Sequence, residues 1–178
     1  MMEDLRGRLL IANGNLFDPN FRQTVVLLVE QGEEGALGII LNRPADITVA
    51  EAAPALAAAG TDEIVYLGGP VQPTAVVLLA QFREGDAPDH PLFERVGLVT
   101  GEVESLGPTE RARVYAGYAG WGAGQLEREM EENSWIVAIP IPSDVFTDRP
   151  ETLWTEILTR QGGSYRLLAR MPLDPSTN

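Results

Sequence analysis

The chain contains no cysteine. Structural disulfides, Cys-ligated zinc, iron–sulfur clusters, thiol catalysis and thiol redox sensing are excluded together. It contains no lysine either: all 13 basic residues are arginines, from Arg6 to Arg170. Schiff-base chemistry and a phosphate-loop lysine are therefore absent. The single histidine, His90, lies between prolines in Ala87–Pro91. Without a second imidazole or a thiol, a metal site would have to rely on carboxylates and carbonyls, as for magnesium or calcium. No such motif accompanies His90, which reads as an exposed loop residue beside Asp89. None of the five serines sits in a G-x-S-x-G context, and a Ser-His-Asp triad would have to recruit His90. No apolar stretch approaches the roughly twenty residues of a membrane-spanning helix. The opening Met1–Arg6 has neither the basic flank nor the apolar core of a signal peptide, so a cytoplasmic location is expected.

Positive charge is also scarce: 26 acidic residues face the 13 arginines, a net charge of −13. A nucleic-acid surface neutralises phosphates with clustered cations, and no basic stripe is present. The whole-chain field should repel DNA, which leaves scattered surface arginines as the simpler alternative to a local patch built from Arg22, Arg43 and others. No direct nucleic-acid partner, no membrane partner, no cofactor and no metal are expected. With 178 residues, 44% of them hydrophobic, residues 1–178 fit one domain with a substantial core. No internal repeat, low-complexity segment or linker interrupts it.

Short apolar runs bounded by Gly, Asn, Asp or Pro predict core strands over Arg8–Ala12, Thr24–Glu30 and Ala36–Leu41. Gln31–Gly35 has the length and chemistry of a hairpin loop between the last two. Thr48 and Glu51 have the spacing of a capping box opening an alanine-rich helix to about Ala59, stopped by Gly60 and interrupted or re-started by Pro54. Further strands are expected over Ile64–Leu67, Ala75–Phe82, Glu94–Thr100 and Trp135–Ile141, while Arg113–Tyr118 leads into the glycine run. Arg83–Pro91 reads as a polar loop and Pro108 as the first turn of a short helix through the arginines. Gln125–Asn133 and Pro150–Gln161 read as helices, with Leu126 and Met130 buried in the first. Leu153, Trp154, Ile157 and Leu158 form the apolar face of the second. Hairpins and helices without a regular βα repeat indicate an α+β fold.

The most information-rich segment is Gly117–Glu127, four glycines and two aromatics ahead of an acidic helix. Glycines so closely spaced must fold back sharply or press against something. The run could make a tight turn against the sheet while Tyr118 and Trp121 fill core space. It could instead form a small-ligand or partner site walled by Tyr118 and Trp121 and completed by Gly124, Gln125 and Glu127. It matches neither G-x-x-x-x-G-K-[ST] nor a clean G-x-G-x-x-G, and Glu127 would repel an anion held there. Glu127 and Glu131 share a helix face, with Glu129 and Glu132 nearby. Such a face could hold magnesium or do acid–base work, although solvation and the helix dipole explain it without chemistry. Elsewhere Asn42–Arg43–Pro44 ends a strand, and Arg43 is the cation best placed to act at a site, or to pair with Asp18 or Asp46. Gly68–Gly69–Pro70–Val71 reads as a turn, with a binding role for Gly69 as the alternative.

These blocks carry a resemblance. GYAGWGxGQLE at 117–127, LNRP at 41–44 and GGPV at 68–71 resemble the YqgE/AlgH family of small bacterial proteins. Leu9–Ala12, Asp18–Arg22 followed by Thr24–Val26, Gly35–Gly38 and the ending Pro175–Asn178 extend the likeness over nearly the whole chain. The resemblance implies a curved, branched, mainly antiparallel sheet approaching a barrel, with helices packed outside. One branch of the family is named as a transcriptional regulator, but the resemblance brings neither a DNA-binding surface nor a catalytic mechanism. The chain departs from the family pattern where histidines are common, near Val29–Gly32 and near Leu79–Ala80. It departs again at Ala123, where proline is common. Any mechanism that needs those imidazoles fails here.

The expectation is a non-enzymatic binding or regulatory protein acting through protein contacts or a small ligand, because every strong catalytic motif is missing. The alternative is a metal-assisted or carboxylate-based enzyme centred on 117–127, and direct transcriptional regulation ranks third. The candidate binding residues are Asn42, Arg43, Gly69, Tyr118, Trp121, Gly124, Gln125 and Glu127.

Overall fold

The computed structural model describes residues 2–14, 18–19, 21–100 and 106–170. Part of the Asp18–Arg22 block and the Pro175–Asn178 ending lie outside the described residues. Ten strands join one mainly antiparallel, curved and branched sheet, and the fold is α+β. They are β1 (Leu9–Ala12), β2 (Val25–Gly32), β3 (Gly35–Ile40), β4 (Pro44–Thr48), β5 (Ile64–Leu67), β6 (Val71–Phe82), β7 (His90–Phe93), β8 (Val96–Val99), β9 (Thr109–Gly122) and β10 (Trp135–Ala138). The main path runs β10-β1-β2-β3-β9-β6-β8-β7, and β5 branches off β9 carrying β4 with it.

The apolar run Val25–Leu28 explains why β2 is central: it is buried on both faces, and the pleat sends alternate residues to different cores. Val25 and Leu27 join Leu9, Ile11, Ile39 and Leu41 in one cluster. Val26 and Leu28 join Leu10, Ile40, Trp121 and Trp135 in another. A third cluster lies around Val49, Val65, Leu78 and Val114. Gly32 pairs with Gly35 across a two-residue Glu33–Glu34 turn, the expected hairpin.

Helices cover these clusters. Thr48 caps α1 (Val49–Ala52) by accepting from the Glu51 amide at 3.2 Å, and Pro54 starts a separate helix, α2 (Pro54–Ala58). The missing N–H of Pro54 breaks the single alanine-rich helix in two. α3 (Gln125–Glu131) buries Leu126, and α4 (Pro142–Val145) was not signalled by any periodic pattern. A single 3-10 turn, Pro150–Thr152, leads into α5 (Leu153–Gln161), whose Leu153, Trp154, Ile157 and Leu158 are buried as expected. α6 (Tyr165–Leu168) follows the Gly162–Gly163 stop. No helix among the described residues is long and apolar enough to cross a membrane.

Three expectations are corrected. The arginines after Pro108 lie in β9, not in a helix, because β6 offers an antiparallel partner from Phe82 opposite Thr109 to Val76 opposite Ala116. That ladder, with one register shift between Gln81 and Phe82, outweighs the local signal of a proline at a helical first turn. The glycine run is not a tight turn: Gly117–Gly122 is the second half of β9, and Ala119–Gly122 pairs with β3. The chain reverses only at Ala123–Gly124. The polar loop is also shorter than expected, since His90 and Pro91 belong to the edge strand β7.

Candidate functional site

The glycine run and the GGPV block meet where the sheet branches. On one side of β9, β3 pairs as far as Ala119, and β5 pairs in parallel with Tyr115 and Ala116. Ile40 of β3 also donates to the Gly68 carbonyl at 2.8 Å. Three backbones converge there, and a side chain would not fit. A Cβ on Gly68 would overlap the Gly117 carbonyl, one on Gly69 would overlap the Tyr118 backbone, and one on Gly117 would overlap the Gly69 carbonyl. Gly117 also has φ +74°, where L residues are strained. Gly69 and Tyr118 are thus neighbours through the branch itself.

Beyond the branch, Trp121 is 5% exposed and sits in a packed aromatic group with Phe21 and Trp135. Ring centroids lie 6.3 Å apart for Phe21–Trp121, 5.8 Å for Phe21–Trp135 and 5.9 Å for Trp121–Trp135. Glu129 reaches this group from α3. Burial pushes its carboxyl above the usual carboxylate range, opposed by the facing Trp121 and Trp135 indoles and Gln125. Glu129 Oε2 and Trp135 Nε1 are buried without hydrogen-bond partners. Gly124, in the left-handed region, precedes α3, and Gln125 Oε1 accepts from the Gly122 amide at 3.0 Å, closing the β9–α3 turn. Glu127 lines a small cleft with Met2, Asp4, Gln31 and Glu33. Among the described residues, no three His, Cys, Asp or Glu side chains come together as a metal site would require.

A second polar network is fully satisfied. Arg113, buried in β9, bonds Asp62 at 3.0 Å and the carbonyls of Val145 and Thr147 at 3.1 and 2.8 Å. Its guanidinium stacks 4.4 Å from the Tyr66 ring centre. Tyr115 donates to the same Val145 carbonyl at 3.3 Å, and burial pushes its hydroxyl well above the usual tyrosine range. Arg113 and Tyr115 both bond the Val145 carbonyl and so hold the end of α4 to the sheet, and the network reads as structural.

Asn42 and Arg43 stand apart from all of this. They line a cleft of about 510 Å³ with Pro19, Arg22, Gln23, Pro150, Glu151, Trp154 and Thr155. The Asn42 amide is occupied: its oxygen accepts from Val25 N and its nitrogen donates to Gln23 O, both at 3.0 Å. This clamps the Gln23 backbone, which has φ +51°. The clamped segment presents the Arg22 carbonyl to Arg43 Nη2 at 2.8 Å. No carboxylate among the described residues pairs with Arg43, so neither expected partner, Asp18 or Asp46, is engaged by it. Its guanidinium is half-buried, and desolvation pushes its pKa down. Trp154, which also lines the cleft, donates its indole N–H to the Ala12 carbonyl at 2.9 Å, tying α5 to β1. A carboxylate or phosphate facing the remaining Arg43 donors would be held by charge-assisted bonds.

The candidate residues therefore separate. Asn42 and Arg43 share the cleft, Gly69 and Tyr118 share the branch, Trp121 is in the aromatic group, and Gly124, Gln125 and Glu127 surround the start of α3. Sequence reasoning missed Gln23, Trp154 and Thr155 as cleft residues. Trp154 was legible only as an apolar helix position, and nothing local links Thr155 to Arg43 across more than a hundred residues. His90 lines a roomier cleft of about 740 Å³ with Asp4, Arg6, Glu30 and Asp89, where Arg6 is already paired with Asp4 at 2.8 Å.

Comparison with known proteins agrees with the architecture. A UPF0301 protein of Mycobacteroides abscessus is 43% identical over 97% of this chain and 87% of its own length. One from Streptomyces coelicolor is 43% identical over 99% and 97%. The crystal structure of a Corynebacterium diphtheriae protein superposes with a TM-score of 0.87 at 27% identity, covering 94% of this chain and 93% of that one. The solution structure of the Pseudomonas aeruginosa AlgH protein gives 0.70 at 29% identity, covering 97% of each. None of these four is named for an activity. A family profile described as AlgH-like matches residues 9–166, and with these relatives it shows that the chain belongs to the AlgH-like family.

Proposed function

We propose that this protein is a non-enzymatic binding or regulatory protein that takes up a small anionic molecule in the Arg43 cleft. The observation that carries this reading is Arg43 itself, a half-buried cation without a carboxylate partner among the described residues, opening on about 510 Å³ of space. A desolvated guanidinium gains most from an anion, and a net charge of −13 makes so uncompensated a cation conspicuous. The volume lies within the range of small-molecule sites, about 300–1,000 Å³. The enzyme reading centred on 117–127 has less support, since Gly117–Gly122 is packed strand and, among the described residues, no three acidic side chains come together around Glu127 as a metal site would require. Control of transcription, if the protein exerts it, would pass through a partner protein rather than through duplex DNA. A cytoplasmic setting is part of the proposal, checked by fractionating cells that express the tagged chain.

The test is a titration of the purified protein with a panel of small carboxylates and phosphates, followed by amide and arginine side-chain NMR. The expected result is saturable shifts at residues 22–25, 42–43 and 150–155 that disappear in Arg43→Gln. Absence of any binding tighter than about 1 mM, or undiminished binding by Arg43→Gln, overturns the proposal.

A further inference from the structure

We infer that a second copy of this chain docks on the apolar row Leu67–Ala116–Val76, so that the protein forms a weak two-fold dimer through this face of its sheet. The contact requires nothing of the Arg43 cleft. Strand register builds the row. Ala116 of β9 pairs with Leu67 of β5 on one side and with Val76 of β6 on the other, and laterally paired side chains project from the same face of a sheet. Two residues back on that face, Val114 and its partner Leu78 are buried, packed with Val49 of α1 and with Leu56 and Ala57 of α2. That cover ends one row short. Leu67 is 49% exposed and Val76 56%, so an apolar surface that begins as core continues into solvent, as protein contact sites do.

Charge favours a second copy as the occupant. Residues 64–82, which supply two of the three row positions, contain no Asp, Glu, Lys, Arg or His, although the chain is 22% charged and carries a net −13. Gln72, Pro73 and Thr74 of this stretch are exposed as well, so neutral side chains precede Val76 along the strand. A partner selected for positive charge would be drawn to the acidic residues elsewhere on the chain. Two copies repel each other wherever their charged surfaces face, and they approach with least repulsion through the stretch that carries no charge. Self-contact also needs no second complementary feature. About a two-fold axis the row of one copy meets the row of the other, the isologous arrangement that is commonest among soluble oligomers. The row is short, which places the association at the weak end of protein contacts.

The experiment is sedimentation equilibrium of the full chain up to about 1 mM, at about 0.05 and about 0.5 M NaCl. A dimer with a dissociation constant in the range of about 0.1 mM is expected at the higher salt. It should weaken severalfold at the lower salt, where the repulsion between two negative copies is less screened. Val76→Glu, and Leu67→Gln, which adds no charge, should each weaken the dimer at least about tenfold, since a two-fold axis makes each change felt twice. Both alter exposed side chains, and their melting temperatures should stay within about 2 °C of the parent. Leu167→Glu, at a residue of α6 that is 71% exposed, should dimerise like the parent. Because the chain has no cysteine, a nitroxide on Thr74→Cys marks a single site. Mixed with unlabelled chain, it should broaden the amide signals of residues 65–67, 74–78 and 114–117 in the unlabelled copy. A chain that stays monomeric to about 1 mM, as it would if a foreign protein were the occupant, overturns the proposal. So does a dimer that weakens with added salt, survives either row substitution, is disrupted equally by Leu167→Glu, or leaves those amides unbroadened.

Discussion

The end of β9 and the Arg43 cleft treat their polar and aromatic groups in opposite ways. Around Gly117–Trp121 the backbone approaches neighbouring backbone so closely that no Cβ fits at Gly68, Gly69 or Gly117, and the rings of Trp121, Trp135 and Phe21 fill what space remains. At Arg43 a charged group is withdrawn halfway from water and left facing an open cleft. The first region makes stability. The second gives up stability, since a desolvated cation is costly without an anion, and a cost retained in a well-formed cleft points to use. A conspicuous motif and a functional site need not coincide.

Substitutions can break this contrast. The largest effect is expected at Trp121→Ala, which should lower stability by about 3–5 kcal/mol by emptying a packed aromatic site, with anion binding at the cleft unchanged in whatever fraction stays folded. An unaltered melting temperature would sink the structural account of the glycine run.

Next come the glycines themselves, which should not behave alike. Gly117→Ala meets both the Gly69 carbonyl and a φ of +74° and should cost on the order of 2 kcal/mol or more. Gly124→Ala shares that φ, but the nearest atom it would meet is an Arg128 side-chain nitrogen at 3.8 Å, so about 1 kcal/mol is expected. Gly120→Ala has an ordinary φ and meets only Val71 and Leu37 side-chain carbons at 3.5 and 3.9 Å, so it should change stability by less than about 0.5 kcal/mol. Thermal melts of the three variants check the order, and equal losses would mean that the branch geometry does not govern the run.

Arg43→Gln sharpens the other side. It removes one charge-assisted bond and a desolvated cation, opposing effects that should leave stability within about 1 kcal/mol of the parent, while ligand binding collapses. A loss of stability as large as that of Trp121→Ala would place Arg43 with the architecture.

The smallest effect concerns Glu129. Burial holds its carboxyl above the usual range in the folded protein, so the folded state binds that proton more tightly than the unfolded chain does. Its favourable contribution is therefore present at low pH and is lost as the pH rises through the ordinary carboxylate range and past the raised folded value. Glu129→Gln should raise the melting temperature at neutral pH, with the gain shrinking toward acid. Parallel melting curves for parent and variant across that range would contradict this.

Much of the fold was legible locally. Val25–Leu28, the Glu33–Glu34 turn, the Thr48 cap and the Leu153–Leu158 face all declared themselves through period, cap or turn chemistry, which act within a few residues. The arginines of 109–113 and the glycines of 117–122 misled, because β6 and β3 supply their hydrogen bonds from about thirty and about eighty residues away in the chain. Arg43 was legible as a cation at a strand end, but its surroundings were not: its wall comes from α5, its support from the Arg22 carbonyl, and Asn42 turned out to hold backbone.

By itself the sequence determined what chemistry is impossible and where most elements begin and end. A missing thiol, a missing amine, a lone histidine and the apolar periods are facts of composition and local spacing. Only the tertiary structure decided that Gly68, Gly69 and Gly117 meet at a branch in the sheet and that one arginine faces an open cleft. Close backbone approach, desolvation and the lack of a counter-charge are properties of groups brought together from distant parts of the chain, and no local pattern encodes them.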